Sequence, residues 1–221
     1  MIEKTINIIA DDRTCFPLVV IPGLPFHVGW LPLTWIQLEY FLSETSDRRF
    51  DSAWYQDVVS RTNRVSSSVV GSSNFPNLFV RGLKLQEAQL IGRWWSEDRF
   101  FLPTVGQWMH VQQEVLAHPA IFNPFEGQIA QELHPRALRV AKIIEEVTSE
   151  AQPESARTLG DQMLLRNGLR ELVTSEEGSF AMGIGTPHRM VEAFTRDLTI
   201  PLDDGNRARR PEVGMRLFLK V

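Results

Sequence analysis

The chain has almost no cysteine. Cys15 is the single thiol in 221 residues, which excludes an intrachain disulfide, a cysteine-based zinc cluster and a dithiol redox site, since each needs at least two sulfurs. Long apolar runs are missing as well, so no membrane-spanning segment is expected. The opening stretch MIEKTINIIADDR carries charges throughout and lacks an apolar core followed by a small-residue cleavage site. No signal peptide is expected, and a reducing cytoplasm is the expected compartment. Neither sign of charge dominates: 23 Lys and Arg stand against 27 Asp and Glu, a formal net charge of −4, so the electrostatic footprint of a nucleic-acid binder is absent.

What is present suits one globular domain over residues 1–221, with 43% hydrophobic residues to build its core. FPLVVI (16–21) is a β-rich run stopped by Pro22-Gly23, and PFHVGWLPL continues as a second extended stretch. Thr34 then precedes a helix in which Trp35, Leu38, Phe41 and Leu42 recur at helical spacing, with Gln37 as its capping-box partner. Residues 60–75, rich in Ser and Gly, read as a loop. KLQEAQLIGRWW (84–95) predicts a second helix. In RFFLPTVGQW (99–108), Pro103 forces the residue before it to be extended and Thr104 can cap the helix that follows, with Trp108 one turn in as a core plug. Residues 131–150 give the most regular pattern: Ala137, Val140, Ala141, Ile144 and Val147 share one face, opposite Arg139, Glu145 and Glu146. The chain closes on an apolar strand, VGMRLFLKV. The expected class is α+β, with short irregular strands and several short helices.

Signatures of chemistry are sparse. The five histidines (27, 110, 118, 134 and 188) form no tight ligand pair. Ser179, between Gly178 and Phe180, is no nucleophile elbow. The Met182-Gly183-Ile184-Gly185 stretch lacks the following helix that a phosphate cradle needs. Asp203-Asp204-Gly205-Asn206 reads as a β-turn. No catalytic residue is expected.

The order of the landmarks carries more than any one of them. IPGLPFHVG (21–29), LPLTWIQLEYFL (31–42), Leu102-Pro103-Thr104 with Trp108, NGLREL (167–172), GSFAMG (178–183) and VGMRLFL (213–219) resemble, in sequence order, the motifs of the formylglycine-generating enzyme (sulfatase-modifying factor) family. That resemblance implies a variant of the C-type lectin fold. The family segment Leu-Pro-Thr-Glu-Ala-Glu-Trp-Glu keeps its Leu, Pro, Thr and Trp here and loses its flanking glutamates. In place of Gly-Asn-Val-Trp-Glu-Trp the chain keeps Glu171, with Gly168 and Arg170 where an asparagine and a tryptophan stand in the family. Copper chemistry on two C-terminal cysteines, which the resemblance would imply, has no counterpart beyond Cys15. Calcium is the alternative cofactor, with Glu171 as the candidate metal ligand; otherwise no cofactor is expected.

The resulting expectation is a pseudoenzyme: a non-catalytic protein- or peptide-recognition module, rich in Trp and Arg as interfaces are. The resemblance further implies an accessory subunit of a bacterial multi-component signalling or defence system. With only Tyr40 and Tyr55, the chain does not match the tyrosine-rich display proteins built on the same fold. Candidate partner-binding residues are Arg139, Ile144 and Val147 on the 131–150 helix, and Arg207, Arg209 and Arg210 on a basic turn expected to be exposed. The alternative is a metal-dependent enzyme of altered chemistry that gathers His110, His188 and Glu171 in one cleft.

Overall fold

Pro22 and Gly23 occupy the corners of a turn in which the Leu24 amide donates to Ile21 O at 3.1 Å. Gly23 has φ 93°, a left-handed value that glycine adopts without strain and that a type II turn requires at its third position. This turn joins β2 (Pro17–Val20) to β3 (Phe26–Pro32). The structure is a computed structural model that describes residues 6–12, 16–60, 79–117, 135, 138, 163, 170–174, 181–185, 199–201, 209 and 213–221.

Its class is mixed α+β. One antiparallel sheet has the order β1-β2-β3-β8, with β1 at Asn7–Ala10 and β8 at Arg216–Lys220. A second has the order β6-β5-β4-β7, built from Thr199–Pro201, Ala181–Gly185, Arg170–Thr174 and Val213–Gly214. Its β4–β7 pair is parallel and the others are antiparallel. The C-terminal run stitches the two together, because β7 lies in one sheet and β8, one residue later, in the other.

Four helices are described along their length: α1 (Trp35–Glu44), α2 (Ser52–Ser60), α3 (Leu85–Trp95) and α4 (Val105–Ala117). None is long and apolar enough to cross a membrane. The expected capping box closes α1: Gln37 N donates to Thr34 Oγ1 at 3.3 Å, and Thr34 N donates to Gln37 Oε1 at 3.0 Å. Thr104 caps α4 in the same way, with Gln107 returning the bond to the Thr104 amide at 2.9 Å. Glu87, three residues into α3, accepts from the Lys84 amide at 2.8 Å. Each device satisfies amides that a helix start otherwise leaves open.

The Phe101 to Thr104 stretch is a strap between the sheets. Phe101 N donates to Phe218 O on β8 at 3.1 Å, and Thr174 N on β4 donates to Pro103 O at 2.8 Å. Beneath it the apolar core forms two clusters. One gathers Val28, Trp30, Trp108, Val173 and Phe218; the other gathers Phe41, Ile91, Trp95, Leu172 and Leu217. Alternation along β4 and β8 sends neighbouring side chains to opposite clusters, so both strands are covered on both faces. Gly92 completes the fit, because a Cβ there would meet the Phe100 ring at 2.5 Å.

The sequence reading did not anticipate β1 or α2. The expected loop at 60–75 lies outside the described residues. So does most of the expected 131–150 helix, of which Pro135 and Leu138 are described, both helical.

Candidate functional site

Two arginine clusters organise the described residues, and they differ in what lies beside them. The first is centred on Arg216, at the start of β8. Between Val28 and Pro32 the β3–β8 register shifts, four steps on β3 spanning two on β8. Such an irregularity leaves carbonyls without ladder partners, and here Gly29 O and Trp30 O accept from Arg216 Nη1 at 3.0 and 2.8 Å. Nη2 donates to Met163 O at 2.7 Å and to Glu171 Oε1 at 2.8 Å, while Nε donates to Glu171 Oε2 at 2.9 Å. All five guanidinium donors are thereby used, two of them in a bidentate pair with a carboxylate. The Trp108 ring lies 4.9 Å from Arg216 Cζ, in cation–π range.

Glu171, the candidate metal ligand, is 2% exposed and has a guanidinium nitrogen on each oxygen. Calcium needs six to eight oxygens converging on one point, and this carboxylate is turned to Arg216 instead. His110 lies on the open side of α4, its side chain half exposed and 3.7 Å from Glu114. The structure therefore does not bring His110 and Glu171 into one cleft, and His188 lies outside the described residues. Among the described residues no three His, Cys, Asp or Glu side chains converge as a metal site would require.

The second cluster is centred on Arg209. The basic turn was expected to be exposed, but this residue is 8% exposed, because acidic groups from two helices surround it. Its Nε donates to Asp57 Oδ2 on α2 at 2.5 Å; Nη1 donates to Glu87 Oε2 on α3 at 2.6 Å and to Gly82 O at 3.0 Å; Nη2 donates to Glu87 Oε1 at 2.9 Å. Burial works against the charge, but the bonds from Glu87 and Asp57 outweigh it and hold the guanidinium above its ordinary pKa. Glu87 also accepts from Trp54 Nε1 at 2.8 Å. A side chain so committed is an internal staple. The other expected partner residues, Arg139, Ile144, Val147, Arg207 and Arg210, lie outside the described residues.

Over this staple opens a cleft of about 410 Å³ between α3 and the segment leading into α2. Phe50 and Trp54 form one wall, their rings 4.8 Å apart and edge to face. The other wall is the outer face of α3, where Gln86, Gln89, Leu90 and Arg93 fall at helical spacing. Ala88, Ile91, Gly92 and Trp95 on the inner face are buried. Lys84 stands at one end of the cleft wall and Arg93 at the other, and neither is ion-paired among the described residues. Arg49 also lines the cleft but is bonded to Asp47, whose carboxyl that bond draws down to about 2. A cleft of this size falls within the ~300–1,000 Å³ of sites that bind small molecules or side chains. The sequence carries no local signal for it, because one wall belongs to the start of a helix with no apolar stripe and the other is the polar face of α3, whose apolar pattern marks only its core side.

No family model, no curated protein and no solved structure matches the chain.

Proposed function

We propose that the chain is a non-catalytic protein- or peptide-recognition module on a sulfatase-modifying-factor scaffold of C-type-lectin-like fold, working in the cytoplasm as an accessory subunit of a bacterial multi-component signalling or defence system. One observation carries the reading. Several of the landmarks on which the resemblance rests, Leu102-Pro103-Thr104, Trp108, Glu171 and Arg216, lie together in the strap and the core beneath it. The charged groups there are saturated by one another, which supports a framework role. Open surface with both charge and aromatic character lies elsewhere, in the α2–α3 cleft.

The test is to isolate the native protein from its own cells at modest salt, identify what accompanies it and measure bound metals in the same sample. The expected result is a protein partner at a fixed stoichiometry. Stoichiometric copper, iron or calcium with no protein partner overturns the reading in favour of a metal-dependent enzyme of altered chemistry.

A further inference from the structure

The α2–α3 cleft has the makings of a site for a particular ligand chemistry. Lys84, the N-cap of α3, and Arg93 are nine positions apart, about 13 Å at ~1.5 Å per residue. Between them the helix offers the side-chain amides of Gln86 and Gln89 and the apolar Leu90, facing the Phe50 and Trp54 rings. An extended peptide spans the same ~13 Å in four residue steps of ~3.3 Å each. Two amides can hydrogen-bond to its backbone, two cations can meet acidic side chains at its ends, and an apolar side chain midway can lie on the aromatic wall.

The charge balance favours an acidic ligand. Glu87 is the carboxylate in the wall, and its oxygens already accept from Arg209, Trp54 Nε1 and the Lys84 amide. It is thus spoken for, and the Arg209 guanidinium beside it, shared with Asp57, offsets part of its repulsion of an incoming acid. The chain as a whole carries −4, so a cationic cleft on this background selects a short acidic segment over an extended polyanion such as nucleic acid.

We propose that this cleft binds an acidic peptide segment of its partner, with carboxylates about four residues apart at Lys84 and Arg93 and an apolar side chain between them on Phe50, Trp54 and Leu90. This deepens the recognition-module reading and rests on it.

The probe is a fluorescein-labelled Glu-Ala-Phe-Ala-Glu peptide, titrated with the full chain at low salt and followed by anisotropy. Binding is expected to weaken at least tenfold when the glutamates become glutamines, when the phenylalanine becomes serine, or when the protein carries Lys84→Glu with Arg93→Glu. Arg93 is exposed and Lys84 half-buried, and an unchanged circular dichroism spectrum and melting temperature serve as the folding control. The proposal is overturned if the peptide does not bind at millimolar protein, if the glutamine peptide binds equally well, if the double variant binds as the wild type does, or if an oligothymidylate displaces the peptide at lower concentration. The partner from the native complex separates the two readings. A partner retained by the Lys84→Glu, Arg93→Glu protein keeps the module and removes this site, whereas the absence of any partner removes the module itself.

Discussion

Arg216 and Arg209 both tie the C-terminal segment to earlier parts of the chain through carboxylates, yet they do different work. Arg216 bonds to Glu171, and the side chains of the pair are 1% and 3% exposed. Arg209 is nearly as buried at 5%, but its partners Asp57 and Glu87 are 43% and 15% exposed. A pair with no access to water ties together the elements that carry it, and its cost if broken is high because the remaining charge has nowhere to go. A cluster whose acids reach the surface can shape what solvent and ligands meet. The buried arginine locks the two sheets and α4 together; the half-open one sets the charge of a cleft.

The largest effect should come from breaking the buried pair. Arg216→Met leaves Glu171 charged without a partner and is expected to cost ~3–5 kcal/mol in urea unfolding. Adding Glu171→Leu should recover part of that loss but not all, since the carbonyls of Gly29, Trp30 and Met163 still lose their donor. Arg209→Gln should cost less, ~2 kcal/mol, because Glu87 keeps Trp54 and the Lys84 amide while Asp57 retains access to water. The same change should weaken acidic-peptide binding, as Glu87 then faces the cleft uncompensated. Arg216→Met, in whatever fraction stays folded, should leave that affinity unaltered. Equal effects of the two arginine variants on affinity would erase the distinction between them.

Thr104→Ala removes one capping bond at the strap and is expected to lower stability by ~1 kcal/mol. The smallest effect is a pH dependence at His27 on β3. Burial, reinforced by the Arg99 charge and opposed by Asp12, holds its pKa below the ordinary 6.5. The folded state thus keeps the ring neutral where the unfolded chain already binds a proton. Its contribution is fully present above pH 6.5 and is lost as pH falls from there through the lowered folded value. His27→Gln should flatten that part of the stability profile in pH-dependent unfolding.

Local signals explain what could be read beforehand. The caps at Thr34 and Thr104, the Pro22-Gly23 turn, the strands through FPLVVI and RLFLK and the core position of Trp108 all depend on residues within a few positions of one another. The α2 helix was missed because Val58 is its single fully buried residue, which leaves no apolar stripe to recognise. A cap was nonetheless there to be seen, since Asp51 Oδ1 accepts from the Trp54 amide at 2.8 Å. Strand β1 was masked by the charges around it. Burial of Arg209 depends on acids 122 and 152 positions away, and no pattern within RARR encodes it. Glu171 and Arg216 were each noticed within a motif, but their pairing across 45 positions is a product of the fold.

Whether Glu171 serves the framework or an ion is the point on which the account turns, and thermal unfolding of the wild type and of Glu171→Gln, each with and without 1 mM calcium, decides it. A framework role predicts a large fall in melting temperature for the variant and no calcium dependence in either protein. A wild type stabilised by calcium, with that stabilisation abolished by Glu171→Gln, would contradict it.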